Sequence, residues 1–172
     1  MNLVAGTYDQ VVWGFKLKIH HENETEQALL SPTFSHHAQL SPIKALSVSG
    51  PIAASSCSDE TVRVFDINQR AEIGTLIRDN GAASCLAFYG FSPKNSSINF
   101  PVHLITGSEQ GSISIFDVEA LVHLKSIRAH KKGVNDLTIH PTGRVVLSIG
   151  RVLSLVQSRV PSPFSMSKLW FT

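Results

Sequence analysis

Histidine is the first residue type here whose chemistry could reach beyond folding: there are eight, including the adjacent pairs His20–His21 and His36–His37. A metal site asks for spaced ligands, usually with cysteine or carboxylate companions, and neighbours on a strand point to opposite faces. The pairs therefore predict no metal centre. Serines are plentiful, but no G-x-S-x-G elbow presents one as a nucleophile. Neither the G-x-x-x-x-G-K-[ST] phosphate loop nor the dinucleotide glycine pattern occurs, so the chain reads as no enzyme and as needing no cofactor. The stretch Arg128-Ala129-His130-Lys131-Lys132 offers cations to an anionic partner such as ribosomal RNA, through Arg128, Lys131 and Lys132; a solvated loop explains the same residues. Ser31, Ser41, Ser92 and Ser162 each precede proline, a pattern shared by proline-directed phosphorylation and by turns.

The elements that must position such residues are bounded by composition. The chain has 172 residues, 42% of them hydrophobic and 16% charged, which excludes a disordered polar tail. Its formal net charge of +2 is too small for binding driven mainly by phosphate neutralisation. Cys57 and Cys85 sit in β-like stretches and are expected to be buried thiols. The amino terminus has no basic leader and places Asp9 among its apolar residues, so no signal peptide is expected. No uncharged apolar run reaches the roughly 18–20 residues that cross a bilayer, and no membrane is expected as a partner.

The sequence repeats. Residues 55–66, SSCSDETVRVFD, align without gaps on residues 106–117, TGSEQGSISIFD. A weaker copy begins the chain. With Gly6, Ser56 and Gly107 superposed, Asp9, Asp59 and Gln110 share one position, and Phe15, Phe65 and Phe116 another. Asp66 and Asp117 follow the second and third aromatic residues. Ahead of the cores, Leu46, Leu86 and Leu137 are equivalent, each centred in a short apolar alternation that reads as a strand. AEIGTLIRD (71–79) and LVHLKSIRAH (121–130) read as outer strands. The unit is four strands. Phe65 and Phe116 are 51 residues apart, and the Ser-, Asn- and Pro-rich loop 89–103 accounts for the excess over a 40–45-residue period.

Four-stranded units of this length, with small residues ahead of an Asp turn and an aromatic-Asp end, resemble the WD-repeat β-propeller. The expected fold is all-β: a partial propeller of about three four-stranded blades whose ring is not closed. The expected parts are a partial blade at 6–35, blades at 36–79 and 80–130, and half a blade at 131–150. The resemblance implies that the turn Asp works with a His before the first strand and a Ser or Thr in the second. Asp9, Asp59 and His130 match those positions, whereas Gln39, Asp79 and Gln110 depart from them. Phe65 and Phe116 stand where the family usually has Trp, keeping a buried ring without its N–H donor.

Several strings are more discriminating: LVAGTYDQVVWGF at the amino terminus, FSHHA at 34–38, CLAFYG at 85–90 and LKSIRAHKKGVNDLTIHPTGRVVLSIG at 124–150. Together they are similar to the p21-activated kinase-interacting WD-repeat family, whose fungal counterpart is called Mak11. That resemblance implies a non-catalytic scaffold for large ribosomal subunit assembly, with pre-ribosomal assembly factors as partners and a nucleolar, nuclear location. The alternatives are negative regulation of a p21-activated kinase and a cytoplasmic location. A cullin ligase adaptor is disfavoured, because Asn68 and Glu119 stand where such adaptors carry Arg.

After Gly150 the pattern fails. The Asp position falls on Val152 or Leu153 and the aromatic position on Ser158 or Arg159. Residues 151–172 are expected to form a disordered or unrelated tail of a truncated or alternatively spliced product, without function if it does not fold. Its unclosed blades would leave edges open to pairing with another chain.

Overall fold

The structure is a computed structural model that describes residues 2–22, 25–37, 40–77, 81–91, 101–151 and 155–159. Those residues are all-β, arranged as four antiparallel sheets that do not close into a ring. The first sheet holds β1 (Asn2–Gly6), β2 (Val11–Glu22) and β3 (Thr25–His37). The second has β4 (Ile43–Ser49), β5 (Ile52–Cys57), β6 (Thr61–Asp66) and β7 (Ala71–Ile77) in sequential order. The third repeats this with β8 (Ala83–Phe91), β9 (Pro101–Ser108), β10 (Ser112–Asp117) and β11 (Val122–Arg128). The fourth consists of β12 (Val134–Ile139), β13 (Val145–Gly150) and β14 (Leu155–Arg159).

The gapless sequence alignment becomes a spatial register. Gly6 pairs with Val12, Ser56 with Val62 and Gly107 with Ile113. Likewise Leu3 faces Phe15, Ala53 faces Phe65 and Leu104 faces Phe116. A register shift falls immediately before each of the three aromatic residues, where the third strand meets the fourth. Such a shift bends the strand and deepens its twist. Gln10, Glu60 and Gly111 share the last position of the turn before the third strand, with φ of 69°, 64° and 91°.

Burial follows layering. β5, IAASSC, is buried on both faces because neighbouring sheets cover it, and its small residues let them approach. The outer strands β7 and β11 are largely exposed. One core joins the second and third sheets through Ile52, Ala54, Val62, Val64, Leu104 and Phe116. A second joins the third and fourth through Ile105, Ile113, Ile115, Val134, Leu137 and Val146.

Two features differ from the sequence expectation. β2 and β3 have 12 and 13 residues against six in β6 and β10, so the first hairpin extends past the sheet it belongs to. In the segment expected to be a non-repeat tail, residues 155–159 form β14, antiparallel to β13. The pairing of Ile149 with Leu155 and Val146 with Ser158 places Ile149 at the Ser56 position and Ser158 in the aromatic slot. A strand needs only an open edge and backbone groups to pair, so one can form there without the Asp or the aromatic residue. The central part of the 89–103 loop lies outside the described residues; its ends extend β8 to Phe91 and begin β9 at Pro101.

Candidate functional site

The turns from second to third strand line one end of the sheets, beside the segments that enter β4, β8 and β12. In the second sheet Asp59 Oδ1 accepts hydrogen bonds from the Thr61 N–H (3.0 Å), the Thr61 hydroxyl (2.6 Å) and the Cys57 thiol (2.7 Å). Burial raises the pKa of this carboxyl, but the bonds from Cys57 and Thr61 and the nearby Arg63 charge outweigh it and hold it below its ordinary value. Asp9 and Gln110, at the same repeat position, do not supply this acceptor. In the first sheet the Val11 N–H donates to Thr7 Oγ1 (3.2 Å), and in the third the Ser112 N–H donates to Ser108 Oγ (3.0 Å). Asp9 is exposed. Thr7, Cys57 and Ser108 are equivalent, so a hydroxyl at that position closes the turn, and where it is a thiol the carboxylate takes over. Sequence reasoning passed over Thr7 and Ser108, although their alignment with Cys57 was the signal that could have found them.

His130 and Asp59 belong to different sheets and are not brought together. His130 is buried in the segment leading into β12, with its Nε2 2.8 Å from Ser148 Oγ. Burial lowers its pKa, since a charged imidazolium would lose solvation there. Ser148 faces Leu137, as Ser55 faces Leu46 and Thr106 faces Leu86. The fourth sheet thus forms the His–Ser part of the expected network, and Val152, at its Asp position, lies outside the described residues. Thr106 Oγ1 is buried without a hydrogen-bond partner among the described residues.

Phe65 and Phe116 are buried, and Phe15 is half-buried. The His36 ring of β3 stacks on Phe65 at 5.5 Å between centroids, and its Nε2 lies 3.0 Å from the Arg70 carbonyl oxygen, tying the first sheet to the second. Phe116 meets His123 edge-on at 5.2 Å. His36 is therefore a packing residue, and its neighbour His37 is exposed. Among the described residues no group of three His, Cys, Asp or Glu could hold a metal ion. Asp66 Oδ1 accepts from the N–H groups of Asn68 and Gln69, and Asp117 Oδ1 from that of Ala120, so both carboxylates shape the turn to the outer strand.

The small residue at Gly6, Ser56 and Gly107 sits where the next inner strand arrives, and at Gly107 the Cys85 side chain of its own sheet crowds the position as well. A Cβ on Gly6 would lie 2.7 Å from Ile43 Cγ2, and one on Gly107 would lie 2.8 Å from Val134 Cγ1. Ser56 fits because Ala83 occupies the corresponding place, and its hydroxyl donates to the Ala83 carbonyl at 2.9 Å.

Arg128, Lys131 and Lys132 are exposed around this same end. Their loop is pinned by N–H groups of Ala129 and His130 donating to the Gly111 carbonyl (3.0 and 2.9 Å). A Cβ on Gly111 would lie 2.2 Å from the His130 carbonyl oxygen, so glycine is required there by the loop as well as by its φ. The Arg151 N–H donates to the Gly133 carbonyl (2.8 Å) and brings a further exposed cation beside Lys132. Glu109, the acid under Gly133, is paired with Lys44. This arrangement can present positive charge and shaped loops to a partner.

Comparison with known proteins agrees with this geometry. The family model "WD domain, G-beta repeat" matches residues 30–66 and 121–151. "p21-activated protein kinase-interacting protein 1-like" of Danio rerio is 35% identical over 164 residues, covering 92% of this chain and 41% of that protein. "p21-activated protein kinase-interacting protein 1" of Homo sapiens is 38% identical over 168 residues, covering 92% and 40%. "Protein MAK11" of Saccharomyces cerevisiae is 29% identical over 158 residues, covering 86% and 38%. The chain spans about 40% of the length of these relatives. The computationally designed Ika4 protein shares the fold with a TM-score of 0.69 at 21% identity, over 92% of this chain and 84% of that one. The chain is thus a WD40-repeat protein related to the p21-activated kinase-interacting proteins and MAK11.

Proposed function

We propose that the chain acts as a non-catalytic protein-interaction scaffold in assembly of the large ribosomal subunit, in the nucleolus. The relationship to MAK11 over 86% of the chain carries this reading, through the assembly role that the family resemblance implies. The cationic loop of Arg128, Lys131 and Lys132 fits it, because exposed Lys and Arg beside a neutralised acid suit contact with RNA phosphates. Its partners are pre-ribosomal assembly factors. A second reading, binding and restraint of a p21-activated kinase, is favoured by the names of the kinase-interacting relatives and of "Shk1 kinase-binding protein 15" of Schizosaccharomyces pombe, 28% identical over 153 residues.

Affinity capture from nuclear extract with the 172-residue chain separates the two. Recovery of pre-ribosomal proteins and RNA supports the first, with the RNA reduced by K131A/K132A. Recovery of a kinase without them supports the second and sinks the first.

A further inference from the structure

Among the Ser-Pro pairs of the sequence the structure singles out Ser41. Ser31 lies inside β3, in register with Lys16 of β2, so a kinase would have to unpair a strand to take it. Ser92 and Ser162 lie outside the described residues. Ser41 lies between β3 and β4, half-buried and outside any strand, and it follows Leu40, which is 80% exposed. Pro42 biases it toward the extended backbone in which proline-directed kinases take their acceptor. Its Oγ accepts the Ser58 N–H (3.0 Å), which ties the entry to β4 to the turn after β5.

The same segment is linked to the cationic end of the sheets. Lys44, three residues after Ser41, pairs with Glu109 in the turn after β9. A Cβ on Gly133 would lie 2.8 Å from the Glu109 carbonyl oxygen, so this acid sits against the loop that carries Lys131 and Lys132. Lys44 neutralises it there.

We propose that Ser41 is a phosphorylation site for a proline-directed kinase, and that its phosphate draws Lys44 away from Glu109 and so weakens the contact of the cationic loop with RNA. The effect on RNA rests on the function proposed above. In the transfer, the Ser41 hydroxyl oxygen bonds to the γ-phosphorus of ATP and the bond from that phosphorus to the bridging oxygen breaks. ADP leaves with the electron pair, and the hydroxyl proton passes to the kinase's base. The ester adds a charge of about −1.5 to −2. The carboxylates of Asp59 and Glu60, which follow Ser58, repel it toward the Lys44 ammonium, for which it is a stronger partner than one carboxylate. Glu109, left without its cation, then sets a negative charge against Lys131 and Lys132.

Incubating the purified 172-residue chain with a cyclin-dependent kinase and ATP tests this. The phosphate is mapped by mass spectrometry, and binding to a single-stranded RNA oligonucleotide is followed by fluorescence anisotropy before and after treatment. Phosphate is expected on Ser41 and not on Ser31, with RNA affinity falling by about fivefold or more, the low end of ordinary coupling between two sites. Ser41→Ala should keep the untreated affinity after the same treatment. In Glu109→Gln the fall should be smaller, because the released side chain carries no charge. Absence of phosphate on Ser41 overturns the proposal, as does an unchanged affinity of the phosphorylated chain or an equal fall in Glu109→Gln. A chain that binds the RNA neither before nor after treatment overturns it too, and that outcome alone also removes the RNA contact from the proposed function.

Discussion

Asp59 Oδ1 receives both the backbone N–H and the hydroxyl of Thr61, at 3.0 and 2.6 Å, and so closes the turn from β5 to β6 with one atom. Asp9, at the same repeat position, is exposed, and its turn is closed by Thr7. Asp59→Ala should therefore cost about 1–2 kcal/mol, the range for losing hydrogen bonds to a partly buried carboxylate. Asp9→Ala should stay within about 0.5 kcal/mol, while Thr7→Val should cost about 1 kcal/mol. Urea unfolding of the three variants checks the order, and an Asp9→Ala effect equal to that of Asp59→Ala would refute it.

The pairing of residue size across sheets predicts a compensating pair. Gly107→Ser forces a side chain against Val134 and Cys85 and should destabilise by about 1–3 kcal/mol. Combining it with Val134→Ala relieves the contact with the next sheet, as Ala83 does for Ser56, and leaves Cys85 Sγ in place. The double variant should then lose less than the sum of the single variants, by about 1 kcal/mol in a double-mutant cycle. Additive losses would show that the two residues do not share this contact.

His130 predicts a pH dependence whose sign is fixed by its lowered pKa. The unfolded chain takes up a proton on this histidine near pH 6.5, while the folded chain does so only at lower pH. Its contribution is therefore fully present above about pH 6.5 and is lost as pH falls toward the folded value. Between pH 7.5 and 5.5 the urea midpoint should fall more in the unaltered chain than in His130→Gln. Asp59 acts in a lower window: its stabilisation is present above about pH 3.9 and is lost as pH falls through its depressed folded value.

The three aligned aromatic residues should differ in weight. Phe65 and Phe116 lie in closed contacts between sheets, so replacement by Ala should cost about 3–5 kcal/mol each. Phe15 lies on an outward face and is half-buried. Phe15→Ala should cost clearly less in urea unfolding. Equal losses at all three positions would refute this ranking.

The sequence by itself determined the all-β repeat, the equivalence of Gly6, Ser56 and Gly107, and the register of Phe15, Phe65 and Phe116. Those follow from strand alternation and turn chemistry, which act over a few residues and recur at each repeat. Tertiary structure alone decided that Thr7 and Ser108 close two of the turns, that small residues sit where the next inner strand arrives, that His130 meets Ser148, and that Asp9 stays exposed while Asp59, its aligned counterpart, closes a turn. It also decided that residues 155–159 pair with β13 and that Arg151 comes beside Lys132. These depend on which sheet edge or neighbouring backbone lies within reach, and contacts such as Ser56 to Ala83 or Gly111 to His130 join residues far apart along the chain. A gapless repeat alignment names equivalent positions, but the partner that each meets is set by packing between sheets.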